Sequence, residues 1–194
     1  MPLLVGLGNP GASYASTRHN VGWRVLDLLA ARWRAGPGET DPRYRTRRAT
    51  PEGREVDLMW PQTYMNASGE ALEAWRERHP LEPSELLVIS DDVYLPVGML
   101  RMRAGGSSGG HRGLESIAAS LATQEFTRLR IGVGTADSPE LREHVLERFD
   151  QEEEAIVTEA ITRAADAAEC WILEGVTSAM NRYNRKVPKE AEEP

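Results

Sequence analysis

The chain opens on an apolar run, Leu3-Leu4-Val5, that gives way at once to a glycine-punctuated turn, Gly6-Leu7-Gly8-Asn9-Pro10-Gly11. A short apolar run closed by turn residues predicts a buried strand. Val21, Val25, Leu28 and Leu29 then recur at helical spacing, with Asn20 placed to cap the helix and Gly36-Pro37-Gly38 to end it. The stretch to Pro51 is polar and basic, with Arg43, Arg45, Arg47 and Arg48 around Tyr44, and reads as a loop plus a solvent-facing or edge strand. Val56, Leu58 and Trp60 alternate with Glu55, Asp57 and Met59, which predicts a strand with one face buried more deeply than the other, stopped by Pro61. A second strand-to-helix turn follows at Gln62 to Gly69, and its helix places Leu72 and Trp75 on one face before Pro80. Leu86-Leu87-Val88-Ile89-Ser90 is apolar on both faces, as a central parallel strand covered by helices on each side should be, and runs into Asp91-Asp92.

Leu100 and Met102 alternate with Arg101 and Arg103, a strand with one basic face. The glycine- and serine-rich stretch Ala104 to Gly113 is the most flexible by composition, and Leu114, Ile117, Ala118 and Leu121 mark the helix after it. Leu129, Ile131 and Val133, alternating with Arg128 and Arg130, predict a further strand. Beyond Ser138, Pro139 suits a first helical position and Glu140 the positive helix end, and a long helix through Val157, Ile161, Ala164 and Ala168 runs to a C-cap at Gly175. A last short helix covers residues 177–185. Strands alternating with helices, with no repeat and no linker, imply a single α/β domain over residues 1–186. Its sheet is twisted, mixed and largely parallel, with helices on both faces, and 187–194 form a disordered tail.

A length of 194 residues supports one sizeable core, and the 40% apolar and 27% charged residues are near globular averages. No apolar run approaches the roughly 20 residues that span a bilayer, and no charged region followed by an apolar stretch marks a signal peptide, so a cytoplasmic location is expected. The single cysteine, Cys170, falls among Ala165, Ala168, Trp171 and Ile172 and reads as an inert core residue; no Cys/His spacing suggests zinc. The net charge of −7 speaks against a polyanionic partner only on average. Residues 138–174 hold eleven acids against three arginines, whereas 98–133 hold five arginines against two acids. The local field decides docking, and the second segment is positive.

Gly6-Leu7-Gly8-Asn9-Pro10-Gly11 matches the spacing of a dinucleotide-binding turn. Three features oppose that reading. Pro10 lacks an N–H for a pyrophosphate, no helix opens at Gly11, and the nearest later acid, Asp27, lies within a helix. A serine nucleophile at Ser107 or Ser108 lacks the taut turn it needs. The alternative is a catalytic edge. Ligands of open α/β sheets bind outside the carboxyl ends of the strands, where Asn9, Asn66 and Asp91 each follow a strand and His19, just before a helix, can join them. A base, a carboxylate to orient it and two amides suit hydrolysis of an activated carbonyl without a metal. His79 at a helix end and His144 in the acidic region read as surface histidines.

These residues spell out a family. Val5-Gly6-Leu7-Gly8-Asn9-Pro10-Gly11 with Tyr14, Thr17-Arg18-His19-Asn20, Thr63-Tyr64-Met65-Asn66 with Ser68-Gly69, Asp91-Asp92 with Leu95-Pro96, Gly109-Gly110-His111 with Gly113-Leu114, and Arg128-Leu129-Arg130-Ile131-Gly132 closely resemble bacterial peptidyl-tRNA hydrolase. The resemblance runs in order through nearly the whole chain. It implies a monomeric, metal-independent enzyme without a cofactor or an obligate protein partner, which cleaves the ester between a peptide and the terminal ribose of tRNA. In such an enzyme the residue matching His19 is general base on water, Asp91 supports it, and Asn9 and Asn66 position the substrate and polarise its carbonyl. The resemblance also implies substrate contacts from Tyr14, Tyr64, His111 on a mobile gate, and Arg112, and tRNA contacts from Arg101, Arg103, Arg128 and Arg130. Relatives of the family that bind RNA without catalysis supply the alternative. Two positions depart from the usual pattern: Arg112 stands where Asn is common, and Tyr94 where Asp is.

Overall fold

The structure, a computed structural model, describes residues 1–135 and 140–184. The expected tail at 187–194 and the helix start at Pro139 lie outside the described residues. Seven strands form one sheet in the order β2-β3-β4-β1-β5-β7-β6, with β1 Leu3–Gly6, β2 Gly36–Asp41, β3 Tyr44–Ala49, β4 Val56–Pro61, β5 Leu86–Asp92, β6 Leu100–Arg103 and β7 Thr127–Gly132. The four inner strands β4, β1, β5 and β7 are parallel, and antiparallel pairings flank them on both sides. The α/β class with a mixed, largely parallel sheet is as the sequence pattern implies.

Alternation along the strands divides the core in two. Leu4, Leu58, Leu87, Ile89 and Leu129 face α1 (Val21–Arg32), α5 (Gln151–Glu174) and α6 (Val176–Tyr183). Leu3, Val5, Met59 and Val88 face α2 (Ser68–Arg76) and α3 (Arg112–Leu121). Both faces of the inner sheet are therefore dry, and this overrides the expectation that one face of β4 is buried more deeply than the other. Asp57 and Met59 are as withdrawn as Val56 and Leu58, and Asp57 tolerates it by taking the guanidinium of Arg48 at 2.8 Å.

Three further expectations are corrected. The basic stretch before Pro51 is a hairpin, with β3 paired on both sides and only β2 at the edge, because its alternate residues Tyr44 and Thr46 turn inward. The helix through 139–175 is two elements, α4 (Leu141–Leu146) and α5, broken where Thr17 bridges Arg148 and where Asp150 caps α5 with a reciprocal Glu153 box. Asn20 precedes α1 without capping it, because its side chain is occupied elsewhere.

The glycines of the opening turn owe their identity to packing. A Cβ on Gly6 would stand 2.4 Å from the Gly22 carbonyl oxygen, and one on Gly8 would stand 2.6 Å from the Trp23 ring. Helix α1 thus lies directly on the turn, with Gly22 itself against Ile89 and Leu7. That contact fixes where the start of α1, and the 3₁₀ turn Arg18–Asn20 before it, meet the carboxyl edge of the sheet.

Candidate active site

Asn9, His19, Asn66, Asp91 and His111, which the sequence scatters over a hundred residues, line one cleft of about 790 Å³ at the carboxyl edge of the parallel strands. Asn9 follows β1, Asp91 is the penultimate residue of β5, Asn66 sits in the 3₁₀ turn Met65–Ala67 after β4, and His111 precedes α3. The segment after β5, with Val93 and Tyr94, the glycine-rich loop at Ser108 to Gly110, and α4, with Leu141, Val145 and Leu146, complete its walls.

Asp91 is the centre of the arrangement, with its side chain 1% exposed. His19 Nδ1 lies 2.9 Å from each of its oxygens, and His111 Nε2 lies 2.8 Å from Oδ1. Burial pushes the Asp91 carboxyl up, but the charges of His19 and His111 and their hydrogen bonds outweigh it and hold the group well below the usual carboxylate range. An ionised carboxylate only accepts, so both facing nitrogens donate. His111 has a second tie: its Nδ1 accepts the Leu114 N–H at 3.3 Å and so closes the first turn of α3. His19 has none. Its Nε2 meets no protein partner among the described residues, and in the neutral ring that nitrogen carries the lone pair. Burial pulls the His19 pKa down, yet the Asp91 charge and hydrogen bond outweigh it and leave it above the ordinary 6.5.

The amide of Asn9 is oriented as firmly. Its backbone N–H donates to Asn20 Oδ1 at 2.9 Å and its carbonyl accepts from Asn20 Nδ2 at 3.0 Å. Its own Oδ1 accepts the Met65 N–H at 2.8 Å, so Nδ2 is the atom left for the cleft. Asn20 was expected at a helix cap and instead clamps Asn9. Arg18, which the sequence did not single out, anchors the turn that carries His19. Its guanidinium donates to both oxygens of Glu153, at 3.0 and 2.7 Å, and to the Val133 carbonyl at 2.9 Å, while stacking on Phe149.

The other expected contacts divide. Tyr64 and Arg112 line the cleft and are exposed; Tyr14 lies in the turn before His19 and is absent from the cleft wall. Arg101 and Arg103 project from the edge strand into solvent. Arg130 is partly committed, to Asp92 and to the Ser107 carbonyl. Arg128 is 1% exposed, stacks on Phe126 and donates to the carbonyls of Ser107 and Gln124, so it ties down the glycine-rich loop instead of facing a phosphate. The two surface histidines are also corrected. His79 stacks on Trp75 and lies 2.6 Å from a Glu39 oxygen, and His144 Nε2 reaches the Val133 and Gly134 carbonyls at 3.2 and 3.1 Å. Cys170 is buried, and burial pushes its thiol up.

His19, Asp91 and His111 together have the composition of a metal site. The hydrogen bond behind His111 argues against one. A ligating imidazole donates its other ring N–H, whereas the far nitrogen of His111 accepts from Leu114.

The fold and the cleft define a class: an α/β protein that gathers an oriented imidazole, its carboxylate and two amides at the carboxyl edge of its parallel strands. The family model described as Peptidyl-tRNA hydrolase matches residues 3–192. The chain is 48% identical to the peptidyl-tRNA hydrolase of Chloroflexus aggregans over 95% of its own length and 99% of the relative's. It is 43% identical to that of Desulforamulus reducens over 96% and 90%. The crystal structure of peptidyl-tRNA hydrolase from Acinetobacter baumannii superposes with a TM-score of 0.91 at 34% identity, covering 97% of both chains. The chain belongs to the peptidyl-tRNA hydrolase family.

Proposed function

We propose that this protein hydrolyses the ester bond of peptidyl-tRNA, releasing peptide and free tRNA for reuse in translation, with His19 as the general base. The observation that carries the site assignment is the pairing of His19 Nδ1 with Asp91 at 2.9 Å, which leaves Nε2 unpartnered at the cleft. Water between Nε2 and the ester carbonyl carbon loses its proton to the ring as it attacks. Asp91 stabilises the imidazolium that forms. On this reading Asn9 Nδ2 and the Asn66 amide donate to the oxygen on which negative charge develops. Collapse of the tetrahedral intermediate expels the ribose oxygen, which takes the proton back from His19. Every proton thus moves through one ring, and the reading needs no resident metal.

On the same reading the exposed Arg101 and Arg103, with Arg130 behind them, attract the tRNA backbone. Residues 1–186 act as one domain, as a monomer in the cytoplasm; no described helix is long and apolar enough to cross a membrane. A silent RNA-binding homologue has no use for an imidazole held in one tautomer at an open cleft. Incubation with N-acetyl-aminoacyl-tRNA beside free-amine aminoacyl-tRNA separates the two readings. Release of intact tRNA from the first and sparing of the second is expected, whereas binding of both with cleavage of neither would establish the silent homologue.

A further inference from the structure

Arg112 opens α3, next to His111, whose ring centroid is 5.2 Å from that of His19. It lines the cleft and is exposed, and among the described residues it has no hydrogen bond and no ion pair. Nothing in the fold explains it. A cation in the first turn of a ten-residue helix sits at the positive end of the helix dipole, where stability favours an acid. The neighbouring Arg130, by contrast, is occupied by Asp92 and Ser107. Arg142 also lines the cleft, but from α4, which packs on the turn carrying His19. Arg112 lies on α3, which packs against the turn carrying Asn66.

We infer that Arg112 is a phosphate-binding residue of the cleft, whose guanidinium takes the last phosphodiester of the tRNA 3′ end, one ribose away from the scissile ester. This rests on the peptidyl-tRNA reading. The chemistry of that substrate selects the ligand. The α-carboxyl group of the peptide is consumed in the ester, so the acyl side carries no anion at a fixed distance from the reacting carbon. The nucleotide side always does. A planar guanidinium fork matches two phosphate oxygens where a shorter amide could reach only one. Tyr64 and Tyr94, 63% and 68% exposed on the same cleft, offer faces on which the terminal base can stack.

The test uses full-length N-acetyl-aminoacyl-tRNA with either a native last phosphodiester or a neutral methylphosphonate there, cleaved by wild type, Arg112→Ala, Arg112→Lys and Arg142→Ala. Wild type should lose roughly 10- to 100-fold in kcat/KM on the neutral linkage, as expected for charge-assisted hydrogen bonds. Arg112→Ala should show that loss on native substrate and no further loss on the neutral one, with Arg112→Lys between. Arg142→Ala should respond to the linkage like wild type. Equal sensitivity to the neutral linkage in wild type and Arg112→Ala would overturn the assignment. So would a loss in Arg112→Ala that appears only with acidic peptides, or sensitivity abolished by Arg142→Ala instead. Wild-type cleavage of the native substrate is the control for the underlying reading, so its failure is separable from failure of the inference.

Discussion

Replacing Asp91 with Asn removes a charge at almost constant volume and tests how the catalytic ring is held. The carboxylate accepts two N–H groups, with Oδ1 shared between His111 at 2.8 Å and His19 at 2.9 Å and Oδ2 facing His19 alone at 2.9 Å. An amide keeps one acceptor. That oxygen must stay with His111, because the Nδ1 of His111 already accepts from Leu114 and the ring cannot accept at both nitrogens. The new NH₂ group therefore falls at the Oδ2 position, against His19 Nδ1, and drives the proton of that ring to Nε2. The base loses the lone pair it needs. Where a carboxylate fixes a catalytic tautomer, its amide costs up to about 10⁴ in rate, so Asp91→Asn should lower kcat/KM by roughly 10³ to 10⁴.

The pH profile carries an independent sign. A general base works unprotonated, so activity rises with pH through the His19 pKa, which lies above 6.5 in the wild type because Asp91 stabilises the imidazolium. Without that charge the burial contribution remains and the acid limb of the residual activity moves to lower pH. The assay is release of tRNA from N-acetyl-aminoacyl-tRNA at sub-saturating substrate, with tRNA binding measured in parallel and expected unchanged. Activity within tenfold of wild type, with the acid limb unmoved, would refute the reasoning.

Gly22→Ala should destabilise the protein by about 1 to 3 kcal/mol or more, since the added Cβ would lie 2.4 Å from the Ile89 oxygen and 2.7 Å from the Leu7 backbone. An unchanged urea midpoint would contradict the direct packing of α1 on the sheet. Arg101→Ala should reduce the slope of log tRNA affinity against log salt by about one, as loss of one phosphate contact does, whereas Arg128→Ala should leave the slope alone and lower thermal stability. Equal slopes for Arg101→Ala and wild type, or a reduced slope for Arg128→Ala, would reverse those roles.

The sheet core was legible because burial leaves a period. Residues 86–90 read as a central strand from their unbroken apolar run, and β6 from its alternation of Leu100 and Met102 with two arginines. The same rule failed for β4, because an ion pair hides the burial of Asp57 from any pattern of apolar residues. It failed again for the hairpin, whose arginines include two that are occupied by Asp57 and the Ala35 carbonyl. At the cleft, His19, Asn9, Asn66 and Asp91 were legible as polar residues at strand ends. What holds them was not. Asn20 and Arg18 act through partners at sequence separations of 11, 115 and 135, and no local rule connects those positions. Arg128 was misplaced for a related reason. The family resemblance implies a tRNA contact there, but the glycine-rich loop brings the Ser107 carbonyl to the guanidinium, and the Gln124 carbonyl captures its other end.

The central claim is that one ring, His19, moves the proton in hydrolysis of the peptidyl-tRNA ester. Single-turnover release of tRNA from N-acetyl-aminoacyl-tRNA by His19→Ala, beside an equilibrium measurement of its tRNA affinity, tests it most directly. A fall in the rate of roughly 10² to 10⁴ with affinity unchanged is the predicted result; turnover near that of the wild type would contradict it.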